Sequence, residues 1–178
     1  VNTEYAALVR DVAVAQLDDP THGFNAQFAI VAAAQGVTPF VIDWSTTSVN
    51  FFEAQIDPAD LEGSTPIKYP IATLAVLMET NQHLQTFITF SGTVVMELAF
   101  YISFKPSAVP RNVEATLSAV TAAVVRTFCD PSAVATANFN GPVTFDRVLQ
   151  VRRLRLEMGA QNWRVPIKFQ FAFRLDSN

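Results

Sequence analysis

From Trp163 to Leu175 the chain alternates without a miss. Trp163, Val165, Ile167, Phe169, Phe171, Phe173 and Leu175 are apolar, and Arg164, Lys168, Gln170 and Arg174 fill most positions between them. A period of two held this long predicts a β-strand with one buried face, because slipping the pairing by one residue would turn every apolar side chain to water. Such a strand needs a sheet to pair in and a second layer to cover its apolar side. The opposite side is basic, although the chain as a whole carries a net charge of −4.

That charge is unevenly divided. Residues 1–140 hold five basic and thirteen acidic side chains, whereas 141–178 hold seven basic (Arg147, Arg152, Arg153, Arg155, Arg164, Lys168, Arg174) and three acidic (Asp146, Glu157, Asp176). The last quarter of the chain is therefore expected either to meet a negatively charged partner or to pair its cations with acids of its own fold. With 178 residues, half of them hydrophobic and 16% charged, the chain is long and apolar enough to fold around a core as a single domain. Cys129 is the only cysteine, which excludes an internal disulfide and fits a reducing compartment. "FAIVAAA" and "LAVLM" fall far short of the ~20 residues a bilayer span needs, and no leader pattern opens the sequence. A soluble protein with no membrane partner is expected.

Helical spacing recurs in three places. Tyr5, Leu8, Val12 and Ala15 predict a helix from about Thr3 to Leu17, ended by Asp18-Asp19-Pro20. Phe28, Val31 and Ala32 predict a short helix over 25–35 with Gly36 at its left-handed end. Val113, Leu117, Val120, Val124 and Phe128 form the stripe of a third, capped by Asn112 and stopped by Asp130-Pro131.

Period two governs the rest. "NFFEAQI" reads as a strand with Phe52, Ala54 and Ile56 on one side and Phe51 on the other, followed by the acidic connection "DPADLEGSTP". "IATLAVLME" is apolar in both phases, as in a central strand covered on each face. The segment Phe87–Lys105 is the longest extended candidate, and Gly92 within it predicts a bulge or kink. Fully extended, it would reach roughly 60 Å, so part of it is expected to project and to need cover from another chain. Strands at about 147–158 and 163–175, joined by "GAQN", close the chain as a hairpin; a bulge at the adjacent Arg152-Arg153 would restore their phase. The expected fold is α+β: a mostly antiparallel sheet with a long projecting hairpin and two amphipathic helices packed on one face.

Little in the sequence points to bond-making chemistry. His22 and His83 have no second ligand at metal spacing. No Gly-x-Ser-x-Gly elbow, P-loop or dinucleotide fingerprint occurs, and Cys129 at a helix end reads as a buried structural thiol. Asp57, Asp60 and Glu62 read as a solvated acidic turn rather than paired catalytic carboxylates, and Trp44 and Trp163 as packing residues rather than stacking platforms. No cofactor is implied. Arg152, Arg153, Arg155, Arg164, Lys168 and Arg174 remain as a basic face able to attract phosphate without reading sequence, or to bridge to an acidic neighbour.

The order of elements, together with "DPTHGFNAQFAIVAAAQGVTPFVIDWSTTSVNFF", "FSGTVVMELAFYISF" and "NWRVPIKFQFAFRL", resembles the tail terminator (tail completion) proteins of long-tailed bacteriophages. The resemblance spans most of the chain, with about 20–48 looking like a variable insertion. It implies a structural virion protein without enzymatic activity, forming a ring, usually a hexamer, on the head-proximal end of the tail tube. There it would end tube growth and meet the tail-tube protein below and the neck or head-closure proteins above, with double-stranded DNA passing through. It also implies assembly in the host cytoplasm and a final place in the virion. The basic face would then line the channel or meet the acidic flank of the next protomer. A head-closure protein or a tail-tube subunit shares the same logic; a hydrolase or ligand-binding domain with an atypical site is the reading from a different class.

Overall fold

In the computed structural model the described residues are 5–54, 69–86, 89–105, 107–129, 143–156 and 162–176. In chain order they form α1 (Tyr5–Leu17), α2 (Phe24–Gln35), β1 (Phe51–Phe52), β2 (Ile71–Thr86), β3 (Thr89–Ser103), α3 (Pro110–Cys129), β4 (Val143–Val151), β5 (Leu154–Arg155) and β6 (Asn162–Asp176). The strands make one sheet in the order β1-β2-β3-β6-β4, with β5 also paired to β6. Only the two rungs of β1 on β2 are parallel; the other pairings are antiparallel. The α+β fold is as expected, with three helices rather than two.

The alternation in β6 does what its period dictates. Val165, Ile167, Phe169, Phe171 and Phe173 are buried, and they join Val94, Met96, Leu98, Phe100 and Ile102 of β3 in one cluster beneath all three helices. Fully burying side chains of this size stabilises by about 1.5–3 kcal/mol each, so this layer dominates the energetics. All five residues of the α3 stripe lie in it. Phe128 packs against Phe169 at 5.0 Å and stacks on Phe145 at 5.6 Å, tying α3 to β4 and β6. On α1 the buried face is rotated from the expected one: Val9, Ala13, Gln16 and Leu17 are buried and Ala15 is exposed. Buried Gln16 makes this possible by donating Nε2 to the Thr127 carbonyl at 3.0 Å, joining α1 to α3.

α2 ends at Gly36, whose φ of 67° is the left-handed conformation glycine adopts without steric cost, and Gly36 and Val37 donate to carbonyls of its last turn. Residues 20–48 add Phe24, Phe28, Val31, Ala32, Ile42 and Trp44 to the main core. Phe24 and Phe28 are fully buried, and Trp44 sits between Phe24, Phe51 and Phe100 with ring centroids at 5.7, 5.0 and 6.5 Å. Two asparagines hold this irregular segment in place. Asn25 donates Nδ2 to the Ile42 carbonyl at 2.7 Å and accepts the Ile42 amide at 3.0 Å, while Asn50 accepts the Asp43 amide and donates to the Val41 carbonyl, each at 3.0 Å. Side-chain amides thus stand in for the missing strand partner.

Four expectations need correction. α3 begins at Pro110, where a missing amide hydrogen costs nothing, so Asn112 lies inside the first turn and is not its cap. The strand read as central, "IATLAVLME", is second from the sheet edge and continues through the polar run to Thr86. Gly92 does not kink its strand. It pairs in register with Asn81 and Phe173, and a Cβ there would come within 2.4 Å of the Thr80 carbonyl and 2.8 Å of the Phe173 ring. Glycine is required by close approach. Finally, pairing runs unbroken through Arg152, whose amide donates to Pro166, on to Leu154 opposite Arg164; the bulges lie earlier, at 145/147 and 148/150. Phe51 and Phe52 do divide between the faces as expected, Phe51 into the main core and Phe52 against a small second cluster of Ile71, Ala99 and Tyr101. "DPADLEGSTP", with Asp57, Asp60 and Glu62, lies outside the described residues, as does the "GAQN" turn up to Asn162, which begins β6.

Candidate interaction surface

Helices cover one side of the sheet, so surfaces able to meet a partner are its open face and its edges. On this open face, the side away from the helices, β3 places Val95, Glu97, Ala99 and Tyr101, out of phase with its core-facing set and each 7% exposed or less, so water reaches this face only in part. Glu97 is a carboxylate in an apolar run, opposite Lys168 in the register. Its side chain is 9% exposed, against 22% for Arg164 and 39% for Lys168. Arg164 hydrogen-bonds Glu97 through Nη2 and the Tyr101 hydroxyl through Nε at 3.1 Å, with its guanidinium carbon 5.8 Å from the Tyr101 ring centroid. Lys168 Nζ is 3.9 Å from the second Glu97 oxygen. One sequestered carboxylate thus holds two cations, which makes the burial of its charge tolerable.

The six basic residues expected to form one face divide between two. Arg152, Arg164, Lys168 and Arg174 fall on the open side by register. Arg153 and Arg155, in phase with Val165 and Trp163, fall on the helix side. Arg153 pairs with Glu114 on α3 and donates to Ser118 Oγ at 3.1 Å. Arg155 lines a cleft of about 380 Å³ with Ala108, Pro110, Val113, Glu114 and Trp163. Between β4 and β5 the register carries across the arginine pair without a shift, so adjacent residues point opposite ways, and that simple parity separates Arg152 from Arg153.

The edge formed by β4 and β5 has the most exposed apolar surface in the sheet. Leu149, Val151, Leu154 and Leu156 are between 37% and 45% exposed, interleaved with Arg147, Arg152, Arg153 and Arg155. Among the described residues no strand pairs with the outer side of β4, and β1 covers only Ala72 and Thr73 of β2. Both lateral edges of the sheet therefore carry backbone donors and acceptors that no strand among the described residues uses. Glu97 and this apolar edge were not singled out in the sequence; a lone acid within "TVVMELAFYISF" and four aliphatic residues spread through 149–156 were the available signals.

Other chemical groups lead elsewhere. Among the described residues no cluster of three or more His, Cys, Asp or Glu could hold a metal, and no described helix is long and apolar enough to cross a membrane. Cys129 is exposed at the end of α3 rather than buried, although partial desolvation pushes its thiol pKa up. Asp19 caps the turn between α1 and α2: Oδ1 accepts the His22 amide at 2.7 Å and the Thr21 amide at 2.9 Å, and the His22 bond is the main cause of its lowered pKa. Trp44 is a core residue and Trp163 is half-buried beside the cleft.

No family model matches the chain, and no curated protein matches it. Among solved structures the chain is similar to one described as "Virion of native gene transfer agent (GTA) particle", at 14% identity and a TM-score of 0.45, over 98% of this chain and 100% of that one. At that level the two folds agree only loosely.

Proposed function

We propose that this chain is a structural virion protein that closes head to tail into a ring at the head-proximal end of a phage tail tube. In that place it ends tube growth and joins the tail to the neck, with duplex DNA passing through the middle. The observation that carries this reading is the pair of open sheet edges. A heterologous contact uses two different surfaces of each copy, and a ring results when the rotation closes. The β4–β5 edge supplies exposed aliphatic side chains and arginines; the far edge supplies the outer side of β2 with the exposed acid Glu79. In this reading the helices lie outside and the open faces turn toward the axis. The sequence resemblance to tail terminators supports the particular place in the particle, and no covalent chemistry is assigned to the chain.

Negative-stain images of the purified protein test the proposal. Discrete closed rings with a central hole are expected. Open-ended tubes of indefinite length would replace it with a tube subunit, and lone protomers at high concentration would end it.

A further inference from the structure

We infer that Glu97 is a built-in counter-anion that keeps the open face of the sheet from gripping the duplex that passes it. The inference rests on the ring reading, because it takes the open face as the surface turned toward DNA.

The geometry carries the argument. Arg164 and Lys168 stand in the middle of the open face on β6, each with part of its side chain in water, and either could contact a phosphate. Both are already committed to Glu97, and Arg164 is further fixed by the Tyr101 hydroxyl. A phosphate could capture Arg164 fully only by taking from the carboxylate, 9% exposed, its hydrogen-bonded partner, with Lys168 left 3.9 Å away. Stranding a charge there is far costlier than breaking a pair at the surface. Each cation released to a phosphate displaces a condensed counterion and steepens the salt dependence of binding by about 0.9. The wild-type face therefore presents two cations to DNA while withholding most of their grip. A conduit needs that property, since cations free to bind strongly would hold the polymer in place.

The test compares wild-type protein, Glu97→Gln and Arg164→Gln/Lys168→Gln for binding to a duplex DNA of random sequence over a range of salt. Glutamine keeps the shape and a hydrogen-bond acceptor for Arg164 while removing the charge. For E97Q we expect tighter binding at low salt and a slope steeper by about 1 to 2, so that a fourfold rise in salt costs it about 4- to 16-fold more affinity than it costs wild type. The double variant is expected to bind within about twofold of wild type. An E97Q slope equal to that of wild type in a folded protein overturns the inference. So does a large loss of affinity in the double variant, which remains readable if E97Q fails to fold. Particle size, followed on the same samples, separates the two readings: rings without the E97Q gain remove the counter-anion alone, and the gain without rings removes the ring alone.

Discussion

The two sides of β6 are built on opposite principles from a single stretch of sequence. Toward the helices, Val165, Ile167, Phe169, Phe171 and Phe173 are buried among aromatic neighbours, with Phe169 and Phe171 edge to face at 5.5 Å. Toward the open side, Arg164, Lys168 and Gln170 are partly exposed and held by polar partners, Glu97 and the Tyr101 hydroxyl for the first, Glu97 for the second and Asp146 for the third. The covered side holds the fold together. The exposed polar pairs of the open side contribute little to stability, which leaves them available for contacts with other molecules. Stability and assembly should therefore respond to different substitutions, and the comparison can be broken wherever they do not.

Phe169→Ala should have the largest effect. It removes a fully buried ring that touches Phe128 and Phe171, and a loss of about 3–5 kcal/mol in denaturant unfolding is expected. Its neighbour Lys168, on the other face, should cost within about 1 kcal/mol when changed to alanine. Equal losses at the two positions would erase the distinction between the faces.

Asn25→Ala comes next. It strips the Ile42 amide and carbonyl of their side-chain partner and loosens the segment that carries Trp44 into the core, for an expected loss of about 1–3 kcal/mol. If thermal unfolding were unchanged, the 36–50 segment would not belong to the covered layer.

Asp19→Ala sharpens the comparison at the surface. It removes the acceptor for the Thr21 and His22 amides, and about 1 kcal/mol is expected at neutral pH. The folded-state pKa of Asp19 is lowered, so its ionic contribution is fully present above its unfolded value near pH ~4 and is lost as pH falls through the folded value. Wild type and D19A should accordingly converge on acidification, by a small amount because the group is largely in solvent. A gap that widened in acid would contradict the assignment.

How much of this was legible in the sequence follows from the same contrast. Covered elements announce themselves through period: the β6 alternation from Val165 to Phe173 and the α3 stripe both come through. Features that depend on pairing do not. The polar half of β2 has no hydrophobic period and is a strand because β3 runs back alongside it. The loop around Trp44 is fixed by two distant asparagines that look like ordinary turn residues in the sequence. For the candidate surface, the basic residues were evident but their division was not. It depends on where two bulges fall, and these sit at 145/147 and 148/150 rather than at the arginine pair. Glu97 was hidden because its partners lie 67 positions away for Arg164 and across the sheet for Lys168.

The central claim is that this sheet completes itself by joining copies of itself edge to edge. The most direct measurement is the particle mass of wild type and of Leu149→Lys/Leu154→Glu in solution over a range of concentration. Both positions are exposed in the lone chain, so the variant should melt within about 0.5 kcal/mol of wild type. The account predicts a closed oligomer of fixed size for wild type and single chains for the variant. A wild type that stays single at every concentration, or an oligomer indifferent to charges on that edge, would contradict it.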